Sequence, residues 1–501
     1  MRFWISLLII FLALVAGAWV IFSRHPVSSP RANLQGVVIN DSGPIPGAKV
    51  RYQGSPHFVL SNGEGRFQLP ANSDRQRITA SMEGFFIESV MSNDSPLALK
   101  LKRLPAKDSE DYTWVDPTPN PVQQQNCGNC HKEIFDEWSA SGHARSATNR
   151  RFLNLYDGTD WQGRPHAGWS LRDEHPDGIG VCNACHAPTA PFDSDLRNLT
   201  GISAQGVHCD FCHKIANAST ERIGFTHGRY GLELLRPSQG QIFLGPLDDV
   251  DRGEDSYAAL YHESRYCASC HEGVVFGVPV YTTYSEWLAS PARQEGKQCQ
   301  TCHMAPTGTM SNLAPEMGGI ERDPQTLGNH RFFDRSQTEM LRRCLHVSVE
   351  AVPEGDSVKV NVRIQADQVG HRVPTGFVDR NLVLVLEAFG SNKSAMMPID
   401  GPTLSSLAGP PWTGQAGKIY AKRLTDFDGK GPVPFWRARP EVEDNRLSPG
   451  RPDSLEWRFP SNATRWRLRV IYRRFWPETV KTKGWPVDDL AVVDQEISIR
   501  H

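Results

Sequence analysis

The 501-residue chain has no excess of charge of either sign: 54 Lys and Arg stand against 56 Asp and Glu. With no basic field to attract phosphates, nucleic acid is excluded as the expected partner. Long apolar runs are missing beyond the amino terminus. A middle region this sparse in apolar helices cannot bury a large aliphatic core of its own. There is no nucleophile elbow and no phosphate loop, so two common catalytic frameworks are absent. Scattered cysteine is scarce too, which excludes an ordinary disulfide framework. Outside one repeated pattern the single cysteine is Cys344, in Arg343-Cys344-Leu345 ahead of an alternating segment. A lone cysteine of this kind behaves as a small buried hydrophobe, and it is given no role.

The other ten cysteines form five copies of Cys-x-x-Cys-His. They are Cys127, Cys130 and His131; Cys182, Cys185 and His186; Cys209, Cys212 and His213; Cys267, Cys270 and His271; and Cys299, Cys302 and His303. The pattern is that of c-type haem attachment, with two thiols joined to the vinyl groups of one porphyrin and the next imidazole on the iron. Zinc pairs its Cys-x-x-Cys half-sites, so five copies would leave one over. Neither zinc nor a redox disulfide accounts for a histidine after every copy. Five covalent haems are therefore expected. In this region the porphyrins are expected to act as the core, leaving the haem-free chain largely unfolded.

The amino terminus agrees with export. Met1-Arg2 precedes an apolar stretch at residues 3–22, followed by Arg24. About 20 such residues can cross a hydrocarbon core about 30 Å thick. Ala16-Gly17-Ala18 offers a signal-peptidase site, but Trp19-Val20-Ile21-Phe22 continues the apolar run past it, which favours an uncleaved anchor. Either reading places the bulk of the chain outside the cytoplasm, on the periplasmic side.

A multidomain architecture is expected: an anchor or signal peptide at 1–31, an all-β sandwich at 32–105, a mostly irregular and α-helical pentahaem region at 106–340, and a C-terminal β-sandwich at 341–501. In the first sandwich, strands are expected at 34–39, 50–53 and 66–69, with Ser61-Asn62-Gly63-Glu64-Gly65 as a turn. Strands are also expected at 347–351, 358–364, 382–389, 455–459, 466–472 and 490–499, whereas the Pro/Gly-rich stretch 401–434 reads as loop. Asp426-Phe427-Asp428-Gly429 lacks the glutamate of a calcium loop and reads as a plain turn. The order Gly36-Val37-Val38, Pro46-Gly47-Ala48, Gly63-x-Gly65-x-Phe67 and Gly84-Phe85-Phe86 resembles the carboxypeptidase-regulatory-like family of transthyretin-type sandwiches. That resemblance implies a spacer or docking module.

Within the haem region the sequence echoes itself. Cys127-x-x-Cys130-His131, Glu137-Trp138-Ser139-Ala140-Ser141 and Cys185-His186-Ala187-Pro188 return as Cys267-x-x-Cys270-His271, Glu286-Trp287-Leu288-Ala289-Ser290 and Cys302-His303-Met304-Ala305-Pro306. Duplication of a two-haem unit and shared packing needs both account for the echo. The copies differ where Ser141-Gly142-His143 faces Ser290-Pro291-Ala292, so His143 is not needed merely to build the motif.

The opposite face of each iron decides between carrier and catalyst: a filled site passes electrons, an open one binds a small molecule. Nine histidines outside the motifs are candidates there: His143, His166, His175, His208, His227, His262, His330, His346 and His371. The run Ser264-Arg265-Tyr266-Cys267-Ala268-Ser269-Cys270-His271-Glu272, with Tyr284-Ser285-Glu286-Trp287, Cys299-Gln300-Thr301-Cys302-His303-Met304, Asn329-His330-Arg331-Phe332 and Gly370-His371-Arg372-Val373-Pro374-Thr375-Gly376, resembles multihaem cytochromes c related to the tetrahaem nitrifier cytochromes, over about residues 125–390. That resemblance implies distal ligands at Trp-x-x-Ser-x-His, His-x-Phe and Gly-His-x-x-Pro-Thr-Gly, here His143, His330 and His371. His208 and His262 are the further candidates, with His175 and His227 similar to them.

The expected function is electron transfer outside the cytoplasm by an anchored pentahaem cytochrome with mainly bis-His irons, serving redox partner proteins or a membrane quinol-oxidising complex. Two alternatives stay open. One is a multihaem oxidoreductase acting on a small inorganic nitrogen or sulfur compound at an iron with an open face. The other is a scaffold acting through its β-domains.

Overall fold

A computed structural model of the chain describes residues 33–72, 75–93, 96–176, 180–332, 337–391 and 394–498. The expected anchor at 1–31 lies outside them. Among the described residues no helix is long and apolar enough to cross a membrane. Contacts divide the described residues into two compact units: one holds those up to Leu104 with Asp248–Gly253, and the other holds those of Pro105–Leu247 and from Glu254 onward.

The first unit is built from strands whose alternating residues turn inward, as Phe67 and Leu69 do in Arg66–Leu69. Leu34–Asn40 pairs antiparallel with Gly43–Pro44 and Arg66–Leu69, and parallel with Leu97–Lys100. A second four-stranded sheet has the order Val59–Leu60, Lys49–Tyr52, Arg77–Ser81, Glu88–Met91. Val38, Val50, Phe67, Ile78 and Leu99 close one core between the two sheets. Asp248 joins this unit through Lys49 at 2.7 Å and through Arg51.

The second unit begins with the five-motif region. Its helices are short, none of the described ones there exceeding eight residues. Every Cys-x-x-Cys pair lies in one: Cys127–Cys130, Gly180–His186, Cys209–Cys212, Arg265–His271 and Cys299–His303. A helical turn places residues i and i+3 on one face, so both thiols of a motif point the same way. The apolar clusters confined to this region are small, such as Ala147, Tyr156, Ala187, Ala190 and Leu196.

From Leu345 onward the pattern becomes β. Leu345–Glu354, Ser357–Ala366 and Asp453–Pro460 form a three-stranded sheet. The facing sheet runs Glu443–Asp444, Ala416–Arg423, Asn381–Gly390, Ala463–Arg473, Leu490–Ser498, with Ala395–Met396 added to Asn381–Gly390. Val360, Trp457 and Phe459 meet Leu384, Trp466 and Leu468 in a fully buried core. The stretch 401–434 is not all loop, because it contains the strand Ala416–Arg423. Its lysines hide the pattern. Lys418 and Tyr420 both bond Asp453, at 2.6 and 2.8 Å, and Lys422 is buried on the carbonyl of Pro279 at 3.0 Å. Asp426 accepts from the amides of Asp428 and Lys430, which makes 426–429 a turn.

This sandwich belongs to the same compact unit as the motifs, and its attachment can be named. Lys483, 1% exposed, donates to the carbonyls of Asn154 and Trp169, both at 2.8 Å. Asn154 lies near the C-terminal end of helix Arg150–Asp157, where unpaired carbonyls favour a cation. Burial pushes the Lys483 pKa down to about 8. Trp485 donates to the Asn154 side chain at 2.8 Å, and Arg151 pairs with Asp488 at 2.8 Å.

Trp466 is fully buried between the two sheets. Trp466→Ala is expected to destabilise the unit by about 3–5 kcal/mol, measured by chemical denaturation followed by circular dichroism.

Candidate metal centres

Three motif histidines are oriented in the same way. His131 Nδ1 lies 2.9 Å from the carbonyl of Leu313, His186 Nδ1 3.0 Å from that of Ser146, and His213 Nδ1 2.6 Å from that of Leu244. A carbonyl can only accept, so Nδ1 carries the proton and Nε2 keeps a lone pair for a metal. Burial holds the pKa values of His186 and His213 below the ordinary range, which keeps them neutral. Burial holds the His271 pKa below the ordinary range likewise, although the residue keeps solvent-exposed surface.

Two pairs of imidazoles stand at the same separation. His143 and His271 have ring centres 6.2 Å apart, and His303 and His371 also 6.2 Å. Two imidazoles on opposite faces of one metal, each with a bond of about 2 Å and a ring centre about 1.1 Å beyond it, stand roughly 6.3 Å apart. The residues therefore fit an iron between each pair. Burial, reinforced by neighbouring imidazoles, pushes His143 and His303 down to about 3.

His330 is also pushed down to about 3, by burial and then by the charges of His213 and His131. Phe332 packs against His143 at 4.5 Å and His330 at 5.7 Å. His208 is fully buried and caps helix Cys209–Cys212, its Nδ1 accepting from the Phe211 amide at 3.3 Å. Its Nε2 is buried and has no hydrogen-bond partner among the described residues. His262 is exposed, with Nε2 3.2 Å from the Pro246 carbonyl. His166 and His346 are exposed, His175 packs on Phe276 at 4.5 Å, and His227 lies beside Gly273.

Thiols of different motifs also approach one another. Cys127 lies beside Cys209, Cys185 beside Cys270, and Cys267 beside Cys299. Cys212 lies near enough to Cys267 and Cys270 for their charges to interact. The fourth motif thus adjoins the second, third and fifth, and the first adjoins the third. The local packing explains this closeness. The turn Gly228–Gly231 passes between two motif helices, where a Cβ on Gly228 would stand 2.1 Å from the Ala184 carbonyl and one on Gly231 2.3 Å from Ser269 Oγ. Ser264 straps the fourth motif to the fifth, its hydroxyl bonding Gln298 at 2.8 Å and accepting from the Cys299 amide at 2.9 Å.

The third motif rests on a buried ion pair. Asp210 pairs with Lys214, both fully buried, and also accepts from Tyr112 Oη and the Val115 amide at 2.8 Å each. Lys214 lies 4.4 Å over the Phe243 ring.

The profile of the family described as cytochrome c554 and c-prime matches residues 126–214. Among solved structures, a penta-heme cytochrome c552 from Thermochromatium tepidum is 22% identical, covers 74% of this chain and 97% of its own, and superposes with a TM-score of 0.57. That likeness shows a shared fold. The ApaA protein from Bordetella pertussis is 13% identical over 31% of this chain and 93% of its own, at a TM-score of 0.14, too loose to define a common fold. No curated protein matches the chain. Together with the five motifs, the family match supports a multihaem cytochrome c with covalently bound haem.

Asp210→Asn would leave the Lys214 charge unpaired. It is expected to cost about 3–5 kcal/mol, read as a lowered denaturation midpoint. Asp379 gives a second expectation, since burial pushes its pKa up to about 7. The neutral carboxyl is favoured in the folded state. Its contribution is therefore complete below the unfolded value of about 3.9 and is lost as pH rises through about 7. Asp379→Asn should flatten that slope and be more stable than the parent at pH 8 in urea titrations.

Proposed function

We propose that the chain is an electron-transfer protein working outside the cytoplasm, with five c-type haems attached at its five motifs. The observation that carries this reading is the pair of imidazole couples 6.2 Å apart, which would leave neither iron an open face. When bound, c-type haem supplies one-electron chemistry at iron, with little change of geometry where both axial ligands are imidazole. The chain's own residues set ligand identity, burial and spacing. His131, His186, His213, His271 and His303 are the proximal ligands in this reading, His143 serving opposite His271 and His371 opposite His303. His330 serves the first or the third motif, whose histidines both act on it.

The adjacency of the motifs supports movement of electrons among all five, with the fourth as the junction. Redox partner proteins follow from the class of protein, and a membrane quinol-oxidising complex is the proposed donor. The apolar segment at 3–22 is proposed as an anchor holding the chain at the periplasmic face of the cytoplasmic membrane. The first unit, with its two four-stranded sheets, is proposed as a carboxypeptidase-regulatory-like spacer.

Low-temperature electron paramagnetic resonance tests the reading. His143→Ala and His371→Ala should each keep five haems by the pyridine haemochrome assay, while one haem turns from low spin to high spin. Two unchanged low-spin spectra would overturn the ligand assignment. A stoichiometric high-spin signal in the parent protein that responds to nitrite, hydroxylamine or sulfite would instead favour an oxidoreductase.

A further inference from the structure

His330 and His371 both lie outside helices and strands, so no regular backbone fixes their rings. Each is followed by an arginine, and each His-Arg pair is gripped by a glutamate distant in sequence. Glu137 Oε2 accepts from the His330 amide at 2.8 Å, and its Oε1 accepts from Arg331 Nε at 3.0 Å. Glu286 Oε2 accepts from the Arg372 amide at 3.0 Å, while its Oε1 takes Thr282 Oγ1 at 2.6 Å and the guanidinium of Arg446. Both carboxylates are nearly buried, their side chains 8% and 10% exposed. Each places one oxygen on the backbone of the His-Arg pair and the other on an arginine.

The two glutamates occupy the same position in the internal echo, and their surroundings repeat. Glu137 sits in helix Lys132–Ser139 and Glu286 in helix Thr283–Leu288. The neighbouring tryptophans each donate from the indole to a backbone carbonyl, Trp138 to Val207 at 2.8 Å and Trp287 to Lys297 at 2.9 Å. The Ser141 amide then bonds the Trp138 carbonyl at 2.8 Å, and the Ser290 amide the Trp287 carbonyl at 3.0 Å. Each tryptophan thus locks its helix, and the locked helix aims its glutamate. A buried carboxylate that meets both a backbone amide and a guanidinium makes charge-assisted bonds, stronger and shorter than neutral ones.

We propose that Glu137 and Glu286 are equivalent positioning residues, each holding the loop of one distal histidine, His330 or His371, so that its imidazole stays on the iron. The proposal rests on the assignment of those two histidines as distal ligands. The two grips differ in reach. Glu137 uses the arginine beside the ligand itself. Glu286 works through Arg446, which is 4% exposed on its side chain and also bonds Asp444 and the Pro374 carbonyl, bringing the C-terminal sandwich into the support.

The test uses Glu137→Gln and Glu286→Gln in the full-length holoprotein, with His330→Ala and His371→Ala alongside. Glutamine keeps the shape and removes the charge. At unchanged haem content, each glutamine variant should let cyanide displace the distal ligand of one haem about tenfold faster or more, or show that haem as high spin. Added imidazole should restore the low-spin signal, and an unchanged denaturation midpoint separates this outcome from a general loosening of the fold. If the alanine variants become high spin while both glutamine variants keep the parent spin state and cyanide rate, the positioning role is overturned. If the alanine variants stay low spin, the ligand assignment fails, and this proposal with it.

Discussion

The arrangement depends on one interaction, the bond from an imidazole Nδ1–H to a backbone carbonyl that leaves Nε2 free for iron. His131, His186 and His213 each make it to a carbonyl outside their own motif: Leu313, Ser146 and Leu244. The motif supplies the ring, and a remote stretch of backbone decides which nitrogen can bind. The surrounding loops are therefore constrained although they form little regular structure. The apolar clusters between them are small.

The C-terminal sandwich takes part in the same constraint. It has a large core of its own, yet Lys483 and Trp485 fasten it to the helix that precedes the second motif, and His371 enters from the loop ahead of its strand Asn381–Gly390. Arg446, after the short strand Glu443–Asp444, reaches back to Glu286. A β-domain thus braces the coil that carries His371. The echo between the two halves of the motif region recurs in three dimensions, in the indole and serine bonds that close both Glu-Trp helices.

Much of this was legible in the sequence, for physical reasons. Covalent attachment needs contiguous residues, so the five Cys-x-x-Cys-His motifs show themselves directly. Sandwich strands such as Ser357–Ala366 alternate because one face is buried, and they read as strands. Ala416–Arg423 did not, since its lysines are matched by Asp453 and by carbonyls rather than by water. The bond from the Phe211 amide to His208 Nδ1 was equally hidden, because a histidine at a helix start shows no such contact in one dimension. Glu137 and Glu286 were visible only as parts of an echo; the His-Arg pairs they hold lie far along the chain, and one chain alone carries no signal for that pairing.

The central claim is that five covalent haems organise this chain. The intact mass of the exported protein, expressed with the c-type maturation machinery and compared with the mass of its polypeptide, tests it most directly. The account predicts a single species carrying five haems, with no free thiol among the ten motif cysteines. A protein that is folded and exported with fewer haems, or with motif cysteines joined as disulfides, would contradict it.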